Sequence, residues 1–104
     1  MPGASFSRAL LDAVKQQSDL VAVVREQGIT LTRRGRTYFG VCPFHAERTA
    51  SFAVSRHAGL FHCFGCGVGG DVIRFVERAQ HVSFPDAVRH LARRAGLSID
   101  EDSQ

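Results

Sequence analysis

An α+β fold is what the sequence predicts, and three observations predict it. Apolar residues recur at helical spacing towards both ends of the chain, in stretches opened by Ser or Asp and closed by glycine. The middle, from Ile29 to Cys63, carries short β-prone runs broken by turns that contain arginine and glycine. Along it, Cys42 and His45 are separated by two residues, seventeen residues follow, and Cys63 and Cys66 repeat the gap. That is four-ligand metal spacing: each pair reaches one ion from a single tight turn, and two turns close a tetrahedron with Zn–S near ~2.3 Å. The expected architecture is a small zinc ribbon, an antiparallel β-sheet flanked by N- and C-terminal helices, with one structural Zn2+ held by Cys42, His45, Cys63 and Cys66.

The elements follow in order. Ser5 or Ser7 caps a first helix in which Phe6, Leu10, Leu11 and Val14 share a side, and Asp19 caps a second, with Leu20, Val23 and Val24 on one side and Gly28 as its stop. Ile29 to Leu31 reads as a short strand, Arg33 to Arg36 as a turn, and Thr37 to Val41 as a second strand. Ser51 to Val54 and Leu60 to Cys63, joined by the turn Arg56 to Gly59, form a hairpin between the two ligand pairs. Gly67 to Gly70 bends the chain back towards the metal; no Gly-Lys-Ser/Thr follows, so it has no nucleotide role. Asp71 caps a helix carrying Val72, Ile73, Phe75 and Val76. Ser83, with Pro85 in the first turn and Asp86 three residues on, opens a last helix that Gly96 ends, Val88, Leu91 and Ala92 facing inward and Arg89, Arg93 and Arg94 facing water. The expected organisation is a helical segment over 1–28 packed on a zinc-binding domain over 29–99, with a disordered acidic tail over 100–104.

Other uses of the cysteines fit less well. Three thiols cannot pair off, and Cys63 with Cys66 would close almost no loop. A C-x-x-C redox motif belongs between a strand and helix of a βαβ unit, a pattern the chain lacks, and an oxidation switch would rest on generic thiolate chemistry alone. Three thiolates and an imidazole leave no open coordination position, so the metal is structural. No catalytic residues are assigned: the carboxylates at Asp12, Asp19, Glu26, Glu47, Asp71, Glu77 and Asp86 are scattered, without a pair spaced for two Mg2+, and the chain by itself is not expected to be an enzyme. Without a signal peptide or a membrane span, and with reduced thiols, the expected location is cytoplasmic.

The formal charge is +3 and the pI about 9.1, from arginine almost entirely, since Lys15 is the one lysine. Between Arg33 and Phe64, five arginines interleave with six aromatic residues. Single strands are held by cations that follow the phosphates and rings on which bases stack. The DNA-binding candidates are Arg33, Arg34, Arg36, Tyr38, Arg48, Phe52, Arg56, Phe61 and His62. The alternative for Phe44, Phe52 and Phe64 is padding of the zinc site, and Tyr38 and Phe61 divide evenly between core and surface. Strand alternation puts Phe61 with Cys63 and places Leu60, His62 and Phe64 on the other side, so His62 points away from the metal. His57, His81 and His90 have no partner spacing, and Arg89, Arg93 and Arg94 read as a solvated helix face.

The segments CPFHAERTASF and FHCFGCGVGGDVIRF resemble the zinc-binding domain of bacterial DnaG-type primases, and the likeness runs from about Leu10 to Leu97. Ala50 departs from it, standing where that family usually has proline. The resemblance implies binding of a single-stranded DNA template and assistance in RNA primer initiation during replication, with Arg36 and Arg48 on the template face. Polymerisation would be done by a separate domain, in cis or in trans, and a replicative helicase is a further expected partner. The chain is then either a segment of a primase or a stand-alone protein built on the same ribbon. The rival reading is an adaptor that keeps the ribbon as scaffold and docks a replication or regulatory protein on the Leu20, Val23, Val24 stripe, without touching nucleic acid.

Overall fold

The computed structural model describes residues 6–44 and 49–99. In chain order these form α1 (Arg8–Gln17), α2 (Leu20–Glu26), β1 (Thr32–Arg34), β2 (Thr37–Gly40), β3 (Phe52–Ser55), β4 (Leu60–Cys63), β5 (Gly69–Gly70), α3 (Val72–Gln80) and α4 (Phe84–Ala95). The α+β ribbon with flanking helices is therefore the fold.

Each helix starts where a side-chain oxygen accepts one of its orphan N–H groups. Ser7 accepts from Leu10 at 3.0 Å, Asp19 from Ala22 at 3.3 Å, Asp71 from Arg74 at 3.0 Å and Ser83 from Asp86 at 3.3 Å. Gly96 ends α4 in the left-handed conformation. His81 does the same for α3, at φ 55°, without glycine's freedom, a stop the composition does not announce.

The strands pair antiparallel in the order β1-β2-β3-β4-β5. Their register sorts the side chains into two faces. Arg33, Tyr38, Val54 and Phe61 lie in one row, and Gly40, Phe52 and Cys63 in the next; this face turns towards the helices. Thr32, Phe39, Ala53, His62 and Gly69 form a row on the opposite face, beside Arg34, Thr37, Ser55 and Leu60. Helix α2 packs on β3, α3 on β4 and β5, and α1 and α3 on α4. One core results, in which Val14, Phe52, Val54, Phe75, Val88 and Leu91 are fully buried.

Three expectations change. The first strand begins at Thr32, not Ile29: Leu31 is buried and its carbonyl accepts from Arg25 Nη2 at 3.1 Å, so that stretch packs on the core before pairing begins. Arg33 and Arg34 accordingly lie in β1, and the turn is reduced to Gly35-Arg36, with Gly35 at φ 65°. Gly69–Gly70, expected only as a bend, adds a fifth strand beside β4.

The stripe Leu20, Val23, Val24 is entirely inside the core, so it offers no surface to a partner and the adaptor reading loses its docking face. Arg94, expected in water, clamps Glu26 with Nε 2.8 and 3.1 Å from its two oxygens, joining α4 to α2. Lys15 meets Asp71 at 3.3 Å, and Arg56 holds Asp19 through Nε and Nη2 at 3.0 and 3.1 Å. Such exposed pairs contribute about 0–1 kcal/mol each; they orient the elements more than they stabilise them.

Gly40 sits where the chain before β1 crosses the sheet, and a Cβ there would lie 2.5 Å from the Thr30 carbonyl oxygen and 3.0 Å from Leu31 Cδ2. The nearer obstacle is backbone and cannot rotate away. Gly40→Ala is expected to lower stability by roughly 1–3 kcal/mol in urea denaturation, through overpacking. Gly35→Ala, with open space around it, is expected to respond only through its positive φ.

Candidate metal centre and binding surfaces

The sheet delivers its cysteines to one end. Cys42 follows β2, Cys63 closes β4, and Cys66 lies in the knuckle beyond, where Gly67 N–H bonds the Cys63 carbonyl at 2.8 Å and Cys63 N–H bonds that of Val68 at 2.8 Å. The three sulfurs lie within 4.8 Å of one another, Cys42 Sγ and Cys66 Sγ at 4.0 Å. A tetrahedron with ~2.3 Å arms has edges of about 3.8 Å, so this donor set fits Zn2+ in chemistry and in spacing.

Both knuckles solvate their sulfurs alike. Phe44 N–H donates to Cys42 Sγ at 3.4 Å and Gly65 N–H to Cys63 Sγ at 3.3 Å, each from two residues on. Burial pushes the Cys42 thiol up to about 12, against the Phe44 N–H and with the neighbouring sulfurs adding to the rise. Burial acts upward on Cys63 as well, but the Cys66 and Gly65 N–H groups and the Ser51 hydroxyl outweigh it and bring that thiol down to about 6. A buried thiolate surrounded by donors is the arrangement that a divalent cation completes, and thiols ligate as thiolates. The expected fourth ligand, His45, lies outside the described residues, as does Arg48.

Beside the sulfurs, Phe44, Phe52, Phe61 and Phe75 pack ring against ring with centroids 5.5–6.3 Å apart. This corrects two assigned DNA contacts: Phe52 is 0% and Phe61 3% exposed, and rings enclosed in a core cannot stack on bases. Phe64, expected as an alternative to pad the zinc site, is 71% exposed and turns outward.

The remaining candidates divide between the two sides of the sheet. Arg34 and His62 are on the outer face. There Thr37, Phe39, Ala53, Ser55, Leu60, His62, Phe64 and Gly69 line a shallow, mainly apolar trough of about 580 Å³. His62 meets Phe64 edge to face at 4.8 Å between centroids, on the sheet face opposite Cys63 as alternation requires. Phe39 and Phe64 are the residues missing from the DNA-binding candidates; for Phe64, alternation with Cys63 carried the signal, whereas for Phe39 it did not say which neighbour goes inward. Arg33, Arg36, Tyr38 and Arg56 gather elsewhere, at the helix-side edge of β1 and β2, where the Arg56 guanidinium covers the Tyr38 ring at 5.0 Å and donates to its hydroxyl at 2.9 Å.

Among the described residues, no helix is long and apolar enough to cross a membrane. The family model for the CHC2 zinc finger of the DnaG zinc ribbon matches residues 6–104. The DNA primase of Clostridium acetobutylicum is 43% identical over 93 residues, 89% of this chain and 15% of that protein, and the DNA primase of Thermotoga maritima is 41% identical over 92 residues, 88% of this chain and 16% of that protein. The crystal structure of the zinc-binding and RNA polymerase domains of the Aquifex aeolicus primase superposes with a TM-score of 0.82 at 41% identity, over 88% of this chain and 22% of that one. The chain thus spans about a sixth of the curated relatives' length. Joined to the three-sulfur cluster, these likenesses give the conclusion that the chain belongs to the CHC2 zinc-finger family of DnaG-type primases.

Proposed function

We propose that this domain presents single-stranded DNA template to a primase and assists RNA primer initiation, polymerisation being carried out by a separate domain. One observation carries the reading: the sheet face that no described element covers is a trough with Phe39, His62 and Phe64 along it and Arg34 in the neighbouring row, next to the cysteine knuckle. Bases stack on such rings for roughly 1–3 kcal/mol each without reading sequence, while arginine follows the phosphates. Gly69, in the trough lining, has no room for a side chain: a Cβ would come within 2.9 Å of the Phe61 carbonyl oxygen and 3.3 Å of His62 Nδ1. That the solved relative carries an RNA polymerase domain beside its zinc-binding domain supports the division of labour.

In this reading Cys42, Cys63 and Cys66, with His45 as fourth ligand, hold one structural Zn2+. The ion supplies cross-linking and no chemistry; the residues do the binding. Phe64 sits between Cys63 and Cys66, so gripping those two sulfurs also fixes the ring's direction.

Phe64→Ala is expected to weaken binding of a single-stranded oligonucleotide by about tenfold or more in fluorescence anisotropy, with unchanged circular dichroism. Affinity is expected to fall steeply with salt and to be lower for duplex of the same sequence. Oligonucleotide binding by Phe64→Ala equal to that of the parent would remove the trough from the template path. For the metal, His45→Ala is expected to lose Zn2+ to a competing chelator far sooner than the parent, and His62→Ala to retain one equivalent by elemental analysis. Equal retention by His45→Ala would place the fourth ligand elsewhere.

A further inference from the structure

The recess at the helix-side edge of the sheet differs in chemistry from the trough. About 390 Å³ in volume, it is lined by Arg33, Arg36, Tyr38, Arg56 and His57. The register points Arg33 to the helix side opposite Tyr38, but α2 and α3 lie chiefly over β3, β4 and β5, so the Arg33 end stays open to solvent. Arg36 comes from the β1–β2 turn, and Arg56 and His57 from the β3–β4 turn.

Three guanidinium groups line this recess, and among the described residues the one carboxylate paired with any of them is Asp19. Asp19 takes Arg56 Nε and Nη2, and Arg56 Nη1 donates to Tyr38, so Arg56 is fixed as a positive wall. The Tyr38 hydroxyl accepts that bond, leaving its own hydrogen to donate. Arg33 gives its Nε to the Gly35 carbonyl at 2.8 Å, which orients its fork and keeps both Nη groups for another acceptor. Among the described residues no carboxylate pairs with Arg33 or Arg36. Like charges gathered around a hydroxyl donor repel one another unless an oxyanion joins them, and arginine forks match the oxygens of phosphate.

We propose that this recess is a phosphate site, separate from the trough, in which Arg33, Arg36 and the Tyr38 hydroxyl hold non-bridging oxygens while Arg56 positions Tyr38 and supplies field. The ligand is a phosphate group, either the terminal polyphosphate of a nucleotide or primer or a phosphodiester of a polynucleotide. It does not rest on the template reading of the outer face, since a polyphosphate would occupy it with no DNA on the trough.

The test is a titration of the zinc-loaded protein with inorganic tripolyphosphate, followed by 1H–15N correlation spectra that include the arginine side chains. Shifts are expected at Arg33, Arg36 and His57, with affinity lowered by about tenfold or more in the Arg33→Gln/Arg36→Gln double variant. Tyr38→Phe, which keeps the ring in place, is expected to bind about threefold or more weakly. Arg34→Gln, one residue along β1 on the outer face, is expected to bind like the parent. No shift at Arg33, Arg36 and His57, or a loss in Arg34→Gln as large as in the double variant, would overturn the proposal. Two oligonucleotides of one sequence separate the sources. Shifts at these residues from the 5′-triphosphate form but not the 5′-hydroxyl form uphold the site as one for terminal polyphosphate, and equal shifts from both uphold it as one for phosphodiester.

Discussion

Three sulfurs meeting at one end of a small sheet set the rest of the molecule. Cys42 follows β2 and Cys63 closes β4, strands that are not neighbours since β3 lies between them, so joining the two sulfurs ties the sheet across those strands. Cys66 adds the knuckle that turns the chain back into β5 and on to α3. A domain of 104 residues buries a limited core, and a cross-link of this kind contributes folding free energy that packing alone would struggle to match. Phe52, Phe61 and Phe75 share the core with Cys42 and Cys63, and Phe44 packs against it, while Cys66 is exposed.

From that anchor the two faces of the sheet acquire different uses. One is closed by α2 and α3 and becomes core; the other has no covering element among the described residues, and small residues at Ala53, Ser55 and Gly69 leave floor space between the rings of Phe39, His62 and Phe64. At the β1 edge the inner face runs out from under the helices, and there it presents arginines beside Tyr38, a residue whose ring is buried and whose hydroxyl Arg56 holds. Of the cations and rings interleaved in the sequence, Arg56 and Tyr38 stay together at this edge, whereas Phe39 lies on the opposite face.

The helices were legible because each rule that marks them is local. Ser7, Asp19, Asp71 and Ser83 all cap as their positions suggest. The cysteine spacing was likewise readable, a ligand pair in one turn being a local constraint too. What failed was facing. Phe61 shares a strand side with Cys63, a buried ligand, so alternation already placed it inside; treating it as a stacking surface ignored the consequence. For Tyr38 against Phe39, alternation says that they part but not which goes inward, because that depends on Val54 and Phe61 lining up across β3 and β4. Leu31 shows the third kind of limit: its β-prone run packs as an irregular segment since the Arg25 side chain takes its carbonyl.

The central claim is that the metal clasp, by holding the two knuckles, makes the outer face competent for a single strand. It is tested most directly by removing Zn2+ from the protein under reducing conditions and returning it stepwise, with the anisotropy of a labelled single-stranded oligonucleotide recorded at each addition. Binding that is absent without metal and rises in proportion to added Zn2+, levelling at one equivalent, is the result expected. Full oligonucleotide binding by the metal-free protein, unchanged as Zn2+ returns, would contradict it.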